Sequence, residues 1–147
     1  MAVGEWVEIG KAPRGSWAVC YFENKSCFGL TVQIGTNSHF VEVTEAGNNL
    51  LDLPEHHRIY LVPNCSILPK ISSLKSGSGE AAPDNALFIA EDGPLLRFKN
   101  RSADWIDIKC GTKTNRALSS QWFEGWSVRQ VADKKTECLL QVGRKAS

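Results

Sequence analysis

Apolar and polar residues alternate along this chain with a period of two. Leu30, Val32 and Ile34 are separated by Thr31, Gln33 and Gly35, the pattern of a half-buried antiparallel strand. Glu5-Trp6-Val7-Glu8-Ile9 and residues 17–22, 40–43 and 58–62 read as further strands, rich in β-branched and aromatic side chains. Residues 86–90 and 95–99 flank Glu91-Asp92-Gly93-Pro94, a hairpin signal. Segments 104–108, 121–128 and 137–142 bring the set to about ten. No segment keeps a helical apolar stripe for three turns. The expectation is an all-β fold, an antiparallel β-sandwich of about ten short strands in one domain over residues 1–147. Residues 68–85 depart from the pattern. Ser, Gly, Lys and Pro dominate there, so they read as a mobile surface loop with room for one short strand.

The same alternation assigns faces to the large aromatics. It pairs Trp6 with Glu8 against Val7 and Ile9, and Trp105 with Asp107 against Ile106 and Ile108. A strand through residues 122–126 would put Trp122, Glu124 and Trp126 on one side and Phe123 on the other. A tryptophan aligned with a carboxylate is hard to bury as plain core, because the charge needs a partner. These tryptophans are therefore expected at the surface, where grouped aromatics mark binding sites.

Composition narrows the partners. The net charge is +1 and the basic residues are scattered, whereas nucleic-acid binding needs a concentrated basic footprint; no nucleic-acid partner is expected. The longest apolar run, Trp17 to Phe22, falls short of the 9–11 residues or so of a membrane strand and the roughly 20 of a membrane helix. Met1-Ala-Val-Gly-Glu-Trp-Val-Glu lacks a basic start followed by an apolar run, so a soluble chain without a secretory leader is expected. Five cysteines, with no Cys-x-x-Cys spacing, read as buried or half-buried thiols.

Signatures of catalysis are sparse. His39, His56 and His57 are the three histidines, and His56 and His57 point to opposite faces of any strand they share. No phosphate loop, dinucleotide fingerprint or nucleophile elbow is present. No catalytic residue, metal or cofactor is expected, and an enzyme is disfavoured.

The order of motifs resembles the aegerolysins, small β-sandwich proteins of fungi and bacteria. Glu5-Trp6-Val7 stands where the family has Gln-Trp-Val, and Phe28-Gly29 where it has Trp-Gly. Pro54 to Ile59 with Cys65 resembles a mid-chain Pro, strand and cysteine, and Gly77-Ser-Gly-Glu80 resembles an acidic Gly-rich loop. Trp105-Ile-Asp107 leads to Cys110-Gly111-Thr112-Lys113-Thr114-Asn115, which keeps the Gly-(Ser/Thr)-Lys-Thr-Asn part of the family's signature. Val142-Gly143-Arg144-Lys145 resembles the end of some members. Phe28 in place of a tryptophan, and Cys110 directly before Gly111, point to a target different from that of the better-known members.

The resemblance implies a toxin component. It would be the small, lipid-binding half of a two-component pore-forming, cytolytic or insecticidal system. It would be released to a target-cell membrane rich in sphingolipid or sterol, where a larger perforin-like (MACPF-domain) partner inserts. Self-association into a homo-oligomer is compatible with this. The lipid-contacting residues implied are Trp6, Phe28, Glu80, Trp105, Lys113, Trp122 and Trp126. The competing expectation is a carbohydrate-binding, lectin-like sandwich whose exposed tryptophans stack on sugar rings.

Overall fold

Glu23 and Asn24, at φ 50° and 63°, form a two-residue turn with both central residues left-handed. That turn matches the twist of the strands it joins. It sets the first hairpin of a computed structural model that describes residues 4–77, 82–98, 105–114, 121–132 and 134–143. The strands are β1 (Glu5–Glu8), β2 (Trp17–Phe22), β3 (Lys25–Ile34), β4 (Asn37–Thr44), β5 (Gly47–Leu51), β6 (Arg58–Leu61), β7 (Cys65–Pro69) and β8 (Leu74–Ser76). They continue as β9 (Leu87–Ala90), β10 (Gly93–Arg97), β11 (Trp105–Asp107), β12 (Thr112–Thr114), β13 (Gln121–Phe123), β14 (Trp126–Ala132) and β15 (Lys135–Val142). Two single 3-10 turns, Ile9–Lys11 and Ile71–Ser73, are the helical pieces among the described residues. The all-β expectation holds, with more and shorter strands than the alternation resolves.

Among the described residues twelve strands form one sheet in the order β1-β6-β2-β3-β12-β11-β10-β9-β13-β8, with β4 and β5 continuing from β3. The order β15-β14-β7 makes the second sheet. Neighbours run antiparallel except at Thr112 and Gln33, where β12 meets β3 in parallel. The main core lies between the sheets: Trp17, Leu30, Val32 and Val41 from the large one meet Trp126, Val128 and Val142 from the small one.

The large sheet is covered on its other face as well. Ala18, Cys20, Cys27, Phe40 and Ile59 pack against Ile9 and Leu53 at one end. Leu95, Trp105 and Trp122 pack against Ala82 and Ala86 at the other. Two buried asparagines pin this arrangement: Asn48 Nδ2 donates to Asn85 Oδ1 at 2.6 Å and to the Arg97 carbonyl at 2.9 Å. Asn85 Nδ2 donates to the Thr44 carbonyl at 2.6 Å.

Two expectations need correction. Residues 68–85 are not a loop throughout: the one short strand they had room for is there as β8, but β7 runs to Pro69 and Ala82 and Asn85 are buried, while 78–81 lie outside the described residues. Residues 121–128 are not one strand either. β13 belongs to the large sheet and β14 to the small one, and the chain crosses between them at Glu124-Gly125. Ser73 holds the crossing by accepting from the Gly125 amide on its hydroxyl at 2.9 Å and from the Glu124 amide on its own carbonyl at 3.2 Å. Trp122 and Trp126 therefore share no face.

Candidate functional site

The register of four adjacent strands lines up Trp6, Tyr60, Val19 and Phe28. Trp6 is opposite Tyr60, Tyr60 opposite Val19, and Val19 opposite Phe28. Directly opposed residues in a ladder point to one face, so these four form an apolar row at the free edge of the large sheet. The alternate residues Val7, Ile59, Cys20 and Cys27 supply core on the other side. Trp6 is 55% exposed, Tyr60, Val19 and Phe28 are half-buried, and Tyr21 on the next row is 58% exposed.

The row is rigid because each ring is braced. Trp6 meets Tyr60 edge to face at 5.4 Å. Phe28 stacks on Trp17, with centroids 5.4 Å and planes 7° apart, and Trp17 contacts Trp126 inside the core. Gly4 leaves room for the Tyr60 ring; a Cβ there would come within 2.4 Å of it. Charge lies on the next rung, where Glu8 is opposite Arg58. The Glu8 carboxylate is 3.4 Å from His56 Nδ1 and 4.0 Å from Lys11 Nζ. An apolar row bordered by mixed charge suits a boundary between water and a less polar phase. Beside it opens a cavity of about 280 Å³ lined by Glu5, Ser16, Trp17, Val62 and Asn64.

Of the residues expected at the surface, Trp6 and Phe28 join this row. Trp105, Trp122 and Trp126 do not, at 1%, 6% and 2% exposure. Trp105 lies under the Arg97 guanidinium, 5.6 Å from the ring centroid, with Phe88 edge to face. Trp126 donates its ring N–H to the Asn85 carbonyl at 2.7 Å. Trp122 packs with Leu95 and Trp105. Lys113 is exposed but sits on β12, which meets β3 at Gln33. That is five residues beyond Phe28, roughly 16 Å along the strand. Glu80 lies outside the described residues. Tyr21, Tyr60 and Val19 were not singled out from sequence, because only the register brings them beside Trp6.

Among the described residues no group of three His, Cys, Asp or Glu side chains is placed to hold a metal ion. Burial pushes the thiols of Cys20, Cys27 and Cys65 up to about 11. Cys110 and Cys138 are exposed, against the expectation of five buried or half-buried thiols. No family model, curated protein or solved structure matches the chain.

Proposed function

We propose that this chain docks on membrane lipid through the Trp6–Tyr60–Val19–Phe28 row. In this reading it is the lipid-recognising small component of a two-component pore-forming toxin, and a larger perforin-like protein inserts. The observation that carries the lipid part is that row: aromatic, edge-placed, braced from behind, exposed at Trp6 and flanked by the exposed Tyr21 of the next row. Taking the exposed part of Trp6 out of water is worth roughly 2 kcal/mol, and Tyr21 adds a comparable amount. The two-component part rests on the resemblance of the Gly111 to Asn115 segment and its flanks to the aegerolysins. No helix among the described residues is long and apolar enough to cross a membrane.

Trp6 alone among the five tryptophans is largely exposed, so its emission reports docking. Vesicles containing sphingomyelin and cholesterol are expected to shift that emission to the blue and to sediment with the protein. Trp6→Phe should keep the binding and lose the shift. Absence of sedimentation with any vesicle, while the fold is intact, would overturn the lipid reading.

A carbohydrate-binding reading draws on the cavity beside the row, where Glu5, Ser16 and Asn64 offer polar groups next to the Trp17 wall. Glycan-array binding without vesicle binding would favour it.

A further inference from the structure

Cys20 and Cys27 are direct partners in the β2–β3 ladder, three rungs from the Glu23-Asn24 turn. Both thiols are free and buried, at 0% and 2% exposure, and both point into the same small core. Opposed residues in an antiparallel ladder have Cα atoms about 4.5 or 5.5 Å apart, and a disulfide spans roughly 4.4–6.8 Å. Bridging these two needs no movement of the backbone beyond the local.

The kind of pair follows from the flanking hydrogen bonds. The Ser16 carbonyl accepts from Thr31 of β3, and the Trp17 carbonyl accepts from Val62 beyond β6. The side to which backbone groups point alternates along a strand, so the backbone of Cys20, like that of Ser16, faces β3. Cys20 and Cys27 therefore form a hydrogen-bonded pair, with Cα atoms near 5.5 Å and Cβ atoms wider apart than a relaxed disulfide prefers. A bond closed here is strained, and strained disulfides are the easily reduced ones.

We propose that Cys20 and Cys27 are a redox modification site, closed by peroxide into a cross-strand disulfide and reopened by a small thiol such as glutathione. Hydrogen peroxide converts the Cys27 thiol to a sulfenic acid and releases water. The Cys20 sulfur then attacks the Cys27 sulfur, the S–O bond breaks, and the hydroxyl leaves as a second water with the Cys20 proton. Two molecules of the small thiol reverse this and become its disulfide. Cys27 follows the exposed residues 23–26, so fraying of the hairpin end gives peroxide its path. His57 Nε2 lies 3.0 Å from the Tyr21 carbonyl, which can only accept, so that nitrogen carries a proton. The same nitrogen is 3.5 Å from Cys20 Sγ, where its N–H can stabilise the negative charge that develops on the sulfur as the thiol proton departs. The opposite face of this hairpin carries Val19, Tyr21 and Phe28, so the bond fixes the strands beneath the aromatic row.

The test uses full-length protein with the exposed Cys110 and Cys138 changed to serine, checked for native circular dichroism. After peroxide treatment, mass spectrometry is expected to show loss of two hydrogens in a monomer. Proteolysis after Lys25 should give a linked pair of peptides containing Cys20 and Cys27, and glutathione should restore both thiols. Adding Cys20→Ala should stop Cys27 at the sulfenic acid, captured by a dimedone-type probe. Thiols that stay alkylatable after peroxide, a Cys27 sulfinic acid beside free Cys20, or a link to Cys65 would each overturn the proposal.

Discussion

Phe28 lies flat on Trp17, with centroids 5.4 Å and planes 7° apart, so a half-exposed ring is stacked on a buried one. Through this contact the surface row is continuous with the core between the two sheets. Phe28→Ala should therefore cost about 2–3 kcal/mol of stability, from lost burial plus the stack. Urea unfolding would read this as a lower midpoint with an unchanged slope.

Trp6→Ala should behave differently. It loses an edge contact with Tyr60 worth about 0.5–1.5 kcal/mol, so the fold survives. Vesicle affinity, in contrast, should fall roughly ten- to thirty-fold. A variant that binds vesicles as tightly as the parent would remove Trp6 from the site.

Asn85 holds three chain segments at once through its side chain and carbonyl. Asn85→Ala leaves a buried Asn48 amide and a Thr44 carbonyl short of a partner, and forces alanine to φ 67°. The expected loss is about 3–5 kcal/mol, with a lower thermal midpoint. Loss of less than about 1 kcal/mol would show that water replaces both bonds.

Gly111, in the segment that carries the family resemblance, has φ 66°, and a Cβ on it would sit 2.2 Å from the Gly15 amide nitrogen. Its carbonyl accepts from Gln33, joining β12 to β3. Gly111→Ala should cost upwards of about 3 kcal/mol or abolish soluble expression. The glycine of this signature acts as a joint in the fold, at a distance from the aromatic row.

Alkaline pH should weaken the fold through the buried thiols. Cys20, Cys27 and Cys65 rise from an ordinary value of 9.0 to about 11, so above pH 9 the unfolded chain has released protons that the folded chain retains. Stability present below pH 9 is lost as pH climbs to 11. The urea midpoint should fall over that window, and the Cys20→Ala, Cys27→Ala double variant should flatten the fall.

The strand content was legible because period-two alternation follows directly from the pleat. So was the exposure of Trp6 opposite the buried Ile9 side. The fate of Trp105 was not. Alternation separates Trp105 from Ile106, yet both are 1% exposed, because the large sheet is buried on each face by a different core. A repeat of two sorts residues between faces without saying which face is wet. Asp107 next to Trp105 suggested water, but its carboxylate turns back to accept from the Cys110 amide at 3.1 Å. The aromatic row was illegible for another reason: Tyr60 and Val19 lie about forty positions apart, and only strand pairing between distant segments aligns them.

The parallel rung between Gln33 and Thr112 also dictates an order of assembly. The β2–β3, β3–β4 and β4–β5 hairpins draw on neighbouring residues and can form as the chain leaves the ribosome. The edge of β3 beyond the reach of β2 stays open until residues from the far half arrive. Closing so large a loop carries a high entropy cost and tends to be slow. A nascent or truncated chain that ends before β12 would leave that edge open to pairing with other strands.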